Sequence, residues 1–169
     1  MTSYETMLMN ITDAMCEWEK QVPDRIHHLL KVHAFARQIA LHEGMAGEAL
    51  FTLEAAALVH DIGIKPAIAQ TGACAGPVQE KLGADAVPAC LSALDVPQPV
   101  IDRVTFLVGH HHTTTGVDAL DWRILLEADY LVNMIEGKHN AAQIDAFKAN
   151  VFRTQEGLKL IELVRPDNN

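Results

Sequence analysis

Four places in this 169-residue chain carry side chains able to hold a metal ion: His28, the pair His60-Asp61, the run His110-His111-His112, and Asp129. Imidazole and carboxylate together make a mixed nitrogen and oxygen donor set, which suits Fe, Mn, Zn, Co or Mg rather than a soft thiolate-binding ion. The doublet is the centre of the pattern. It closes an apolar, alanine-rich run, Leu53-Glu54-Ala55-Ala56-Ala57-Leu58-Val59, which reads as a buried helix. A His and an Asp at the end of such a helix need a partner, because burying an unpaired polar or charged group is costly. Each feature alone has an ordinary reading. The doublet can be a helix end with a solvent-facing His, His28 a surface His, the triple His a His-rich loop, and Asp129 a polar residue within a helix.

The donors lie far apart in sequence, so the fold must assemble any site they share. Helices are expected over 4–20, 25–43, 48–61, 78–94, 97–110, 120–136, 139–150 and 154–164, with Asp24 as the N-cap of the second. Leu8, Ile11, Met15 and Trp18 fall on one stripe of the first. In the second, His28 shares a face with Val32, Phe35 and Ile39, while His33 lies on a neighbouring stripe with Leu29, Ala36 and Ala40. Leu125, Ala128, Asp129, Val132 and Ile135 are expected on or near the inner face of the 120–136 helix. Residues 65–78, with Pro66, Thr71-Gly72 and Gly76-Pro77, read as a loop with room for one helical turn beside His60-Asp61. Gly63 lets the chain turn sharply after the doublet and bring Lys65 back toward it. No strand is expected. The fold class is all-α, in one domain.

Composition narrows the function. A formal net charge of −9 excludes a nucleic-acid polymer as partner, since phosphate backbones demand a basic face. Cys16, Cys74 and Cys90 are odd in number and irregularly spaced, so neither a disulfide framework nor a zinc motif follows, and a cytoplasmic setting is expected. No signal peptide and no membrane-spanning run is read in the chain. Oligomeric state is not legible.

The segment His28-Leu29-Leu30-Lys31-Val32 with Ala36 and Ala40, then His60-Asp61-Ile62-Gly63, then Ala128-Asp129 resembles the HD superfamily of metal-dependent phosphohydrolases. The doublet matches that family's HDIG version letter for letter. The likeness spans about Arg25 to Gly137, with the 139–164 helices beyond it, and implies an all-α bundle around a buried metal. It implies His28, His60, Asp61 and Asp129 as ligands, with His33 the competitor to His28. Members with two ions share the doublet Asp and add two histidines. His110 and His111, with His112 close behind, resemble one of these. The other falls at Gln79-Glu80, so one ion or two are both open. Asp24 stands where trinuclear members carry an acid. The Thr113-Thr114-Thr115-Gly116 run departs from the branch that hydrolyses cyclic-di-GMP.

The implied activity is hydrolysis of a small phosphate ester or nucleotide through a metal-activated water. Asp61, Lys65, His110 and His111 are the expected catalytic residues: Lys65 as a phosphate-binding cation, and a non-ligating His110 or His111 as the acid for the leaving group. Arg37 and Arg123 are further phosphate contacts. A di-iron oxygenase of the same fold and a non-catalytic nucleotide or metal sensor are the alternatives.

Overall fold

The computed structural model describes residues 3–166, and among the described residues it contains nine α-helices and no strand. They are α1 (Ser3–Trp18), α2 (Pro23–His42), α3 (Gly47–Val59), α4 (Ile64–Thr71), α5 (Gly76–Ser92), α6 (Gln98–Val108), α7 (Leu120–Glu136), α8 (Ala141–Val151) and α9 (Gln155–Val164). The expected all-α class is the observed one. None of these helices is long and apolar enough to cross a membrane.

Two helices form the interior. Every residue of α3 from Phe51 to Val59 is buried, as befits a helix that is apolar around most of its circumference. It packs against α1, α2, α6 and α7. In α7, Ile124 through Val132 are all buried. Helix α2 lies on both, through a stripe of His28, Leu29, Val32, Ala36, Ile39 and Ala40. The fully buried Ala36 and Ala40 keep that face low, which permits a close approach.

Polar locks set the register of these helices. The buried Glu54 of α3 meets His33 Nε2 at 3.0 Å and accepts from Arg37 Nη1 at 2.8 Å, both from α2. Burial alone would push the Glu54 carboxyl up, but these two hydrogen bonds more than offset it and hold its pKa below the ordinary value. Glu127 of α7, also buried, accepts from Arg153 N at 2.6 Å, from Thr154 N at 3.1 Å and from the Thr154 hydroxyl. That carboxylate ties α7 to the start of α9.

The turn after the doublet differs from expectation in its cause. Gly63 has φ −72° and ψ −14°, right-handed values open to any residue. What requires glycine is crowding. A Cβ there would lie 2.2 Å from the Gln79 carbonyl oxygen and 2.7 Å from Gly83 N, both on α5. Neither backbone atom can swing aside, so Gly63 sets how closely α5 approaches the doublet.

Four local expectations are corrected. Residues 64–71 form a two-turn helix instead of a loop, because Pro66 sits in its first turn, where no amide bond is lost, and Gly72 (φ 73°) closes it in the left-handed region. The N-cap of α2 is Val22, with Pro23 as its first residue and Asp24 inside the first turn. Trp18 is 42% exposed, because α1 ends there and its last turn overhangs the core. Ile135, in the last turn of α7, is 45% exposed.

Two stability measurements follow. Gly63→Ala should lower stability by about 3 kcal/mol, a fall in Tm of roughly 6–12 °C, since overpacking here meets main chain. A Tm within 2 °C or so of wild type would show that α5 can yield. Because its folded pKa is depressed, Glu54 should contribute stability that is fully present above about pH 4.5 and lost on acidification below it. The stability gap between wild type and Glu54→Gln should therefore shrink below that pH, and a gap constant with pH would show the charge of Glu54 to be irrelevant.

Candidate metal centre

The C-terminal end of α3 delivers His60 and Asp61, the second turn of α2 delivers His28, and the middle of α7 delivers Asp129. Helix packing brings four of their atoms around one point. His28 Nε2 lies 3.1 Å from Asp129 Oδ1, 3.4 Å from His60 Nε2 and 3.6 Å from Asp61 Oδ2. His60 Nε2 lies 3.4 Å from Asp129 Oδ1 and 3.7 Å from Asp61 Oδ2. Most of these separations exceed ordinary hydrogen-bond lengths. They match the spacing of donors around a shared ion: ligands at about 2.1 Å stand roughly 3.0–3.5 Å apart for right-angled to tetrahedral arrangements.

The imidazoles are turned so that Nε2 faces this point. His60 Nδ1 donates to the Ala57 carbonyl at 2.9 Å, and His28 Nδ1 lies 2.9 Å from Glu136 Oε2. With Nδ1 protonated in both rings, the Nε2 lone pairs are left for a ligand role. Glu136 was not anticipated. It sits two turns after Asp129 on α7, and is itself held by Lys31. Its signal in the sequence is the seven-residue spacing from Asp129, which puts both carboxylates on one face.

Charge also demands a cation. Asp61 and Asp129 are buried, and among the described residues no lysine or arginine pairs with either. With protons as the only available cations, burial works against charging His60, yet Asp61 and Asp129 outweigh it and hold its pKa up to about 9. Burial pushes the two carboxyls up, yet His60 drives Asp61 down to about 2, and hydrogen bonds with His28 and His60 take Asp129 lower still. Two ionised carboxylates facing two imidazole nitrogens fit a divalent ion.

A second group adjoins the first through Asp61. Asp61, His111 and His112 bring donor atoms within 4.8 Å of one another. The Gln79 amide lies among them. Its Nε2 donates to Asp61 Oδ1 and lies 3.1 Å from His111 Nε2, which is left as an acceptor because His111 Nδ1 bonds the Val108 carbonyl at 2.6 Å. Its Oε1 accepts from His112 Nε2 at 3.2 Å and from the Cys74 thiol at 3.1 Å. Every polar atom of the Gln79 amide is thus engaged.

Of the expected pair, His111 faces Asp61 and Gln79 while His110 does not, and His112 stands beside His111 in its place. His110 stands four residues after Phe106, so its ring stacks on that phenyl at 4.2 Å and Nδ1 bonds the Phe106 carbonyl at 2.7 Å. The turn after α6 swings the next two residues inward. Buried Trp122 pins that turn by donating from Nε1 to the His110 carbonyl at 3.0 Å. Glu80 is not turned to Asp61 either. It accepts from His112 N at 2.8 Å and from Thr113 Oγ1 at 3.0 Å, bracing the same turn.

The expected phosphate-binding cations lie elsewhere. Lys65 reaches to the Trp18 carbonyl and lies 3.7 Å from buried Glu19, because α4 carries it toward the end of α1. Arg37 is engaged with Glu54, and Arg123 bonds the Val151 carbonyl at 3.0 Å. Asp24 is exposed and belongs to neither cluster of donors found among the described residues. His33 is taken by Glu54.

The profile of the HD domain family matches residues 25–134. The structure is similar to the crystal structure of a predicted HD superfamily hydrolase from an uncultured Thermotogales bacterium. The two share 26% sequence identity and a TM-score of 0.67 over 96% of this chain and 90% of that one. No curated protein matches the chain.

If Glu136 holds the His28 ring, Glu136→Ala should weaken metal affinity roughly 10–100-fold in a chelator competition, with little change in Tm. His28→Ala should lose the ion and His33→Ala should keep it. Retention in His28→Ala with loss in His33→Ala would reverse the assignment.

Proposed function

Because the chain belongs to the HD domain family, we propose that it is a metal-dependent phosphohydrolase of small phosphate esters, with one divalent ion held by His28, His60, Asp61 and Asp129. The observation that carries the reading is that His28 Nε2 and His60 Nε2 lie 3.4 Å apart, and each lies within 3.1–3.7 Å of both Asp61 Oδ2 and Asp129 Oδ1. A divalent ion bound there supplies Lewis acidity, lowering the pKa of a water toward neutrality and offsetting charge on the phosphoryl oxygens. The likeness to a predicted HD superfamily hydrolase supports the same class of chemistry.

The chain's own groups divide the remaining work. Asp61 orients both clusters at once, with Oδ2 toward the ion-binding atoms and Oδ1 toward Gln79 and His111. His112 stands at the rim, and burial together with the neighbouring His111 keeps its pKa below the ordinary value. Its imidazole is therefore neutral near pH 7, and in this reading it accepts and returns a proton near the leaving oxygen. His110 has no part, and Lys65 contributes through the α1–α4 contact rather than through phosphate.

The Gln79 amide favours one ion over two. It already satisfies Asp61 Oδ1, His111 and His112, so a second ion would have to break that network. The oxygenase alternative needs two irons and gains no support here.

Elemental analysis of protein purified without added metal should find about one ion per chain, absent from Asp61→Ala. Hydrolysis of phenyl phosphate should fall in that variant by on the order of 10³-fold or more, several kcal/mol of lost charge stabilisation. Wild-type protein that retains no ion even after reloading would overturn the reading. Two ions per chain would overturn the role given to Gln79.

A further inference from the structure

The donors open onto a cavity of about 320 Å³ between α7, the His111–Thr114 turn and α8. Ligand pockets run from roughly 300 to 1,000 Å³, so this one admits only a small group. Asp129 forms one end of it. Asn133, one turn further along α7, lies about 6 Å away on the same face. A group esterified to a phosphate held at the metal centre would extend along that wall.

The wall has a definite chemistry. Among the described residues no lysine or arginine lines the cavity, and Asp129 is its one carboxylate. Beside the apolar surfaces of Leu126, Tyr130 and Phe147, it offers uncharged hydrogen-bonding groups: the Asn133 amide, which has no hydrogen-bond partner among the described residues, the Thr114 hydroxyl and the His139 ring. Tyr130 is stacked on Phe147 at 3.6 Å with planes 2° apart, and its hydroxyl donates to the Gln143 carbonyl at 3.3 Å. With its one proton so used, that hydroxyl accepts from His139 Nδ1, 3.1 Å away, and in that tautomer Nε2 can accept from an O–H donor. A second anionic group on the substrate would face the phosphate and Asp129 with no cation to offset it. A hydroxyl would find both donors and acceptors.

We propose that this cavity selects phosphate monoesters whose organic part is small, uncharged and hydroxyl-bearing, with Asn133 as the specificity-determining residue. The inference rests on the phosphohydrolase reading above and names its substrate class. A matched pair of esters tests it: glycerol 3-phosphate and 3-phosphoglycerate share carbon number and phosphate position but differ in a terminal hydroxymethyl against a carboxylate. With the metal-loaded protein, kcat/KM should favour glycerol 3-phosphate at least about tenfold. Asn133→Lys, which supplies the missing cation, should narrow or invert that ratio about tenfold, while metal content and Tm report that the variant is folded. Equal or faster turnover of 3-phosphoglycerate would overturn the inference and leave the hydrolase standing. So would hydrolysis of phenyl phosphate alone, or an unmoved ratio in folded Asn133→Lys. If neither ester nor phenyl phosphate reacts with the ion bound, the phosphohydrolase reading itself fails.

Discussion

Two carboxylates, Asp61 and Asp129, are buried against the same two imidazoles where α2, α3 and α7 meet, and much of this structure serves to make that arrangement tolerable. Burying one unpaired carboxylate costs several kcal/mol, and a second beside it costs more through repulsion. Among the described residues no lysine or arginine answers them. Imidazoles do, and an imidazole turned nitrogen-first toward a carboxylate has two ways to supply positive charge: take up a proton or share a metal ion. The ring anchors decide between these. Because the Nδ1 atoms of His28, His60 and His111 are engaged with Glu136, Ala57 and Val108, all three rings present Nε2, the geometry a metal requires.

That requirement explains features remote from the donors. Glu54 fixes α2 on α3 through His33 and Arg37, so that His28 arrives at the right turn. Glu127 fixes α7 from its far side. Gly63 admits α5 against the doublet, and with α5 comes Gln79, whose amide neutralises nothing but satisfies the second oxygen of Asp61. Arg37 is turned to one of these locks and Lys31 to Glu136. This leaves the centre free of fixed positive charge that would compete with an ion.

The all-α class, most helix limits and the convergence of His28, His60, Asp61 and Asp129 were legible in the chain because they follow from hydrophobic period and from a motif whose residues sit on regular helices. What was not legible depended on turns and on tertiary crowding. His110 and His112 exchange roles because the phase at which α6 ends is set by Trp122 reaching back to a carbonyl, a contact with no local signature. Lys65 turns away because 64–71 is a helix, and Pro66 hid it by looking like a loop residue while occupying a first turn. Gly63 was singled out for a flexible backbone and is needed for its missing side chain. Glu136 could have been found, since it repeats Asp129 at seven residues.

The same charge logic reaches into the neighbouring cavity. A site that holds two carboxylates and an ion is close to neutral until a phosphate enters, and the phosphate then brings a negative surplus. Enzymes that accept a further anion on the substrate must place a cation to meet it. Here Lys31 is engaged with Glu136, Arg37 with Glu54, Lys65 with Trp18 and Glu19, and Arg123 with the Val151 carbonyl, while the exposed Lys138 is not among the residues lining the cavity. The wall that remains sets the Asn133 amide, the Thr114 hydroxyl and imidazoles among the apolar surfaces of Leu126 and the Tyr130–Phe147 stack. Keeping the centre free of lysine and arginine favours the ion, and the same absence extended along α7 restricts what the phosphate can be attached to.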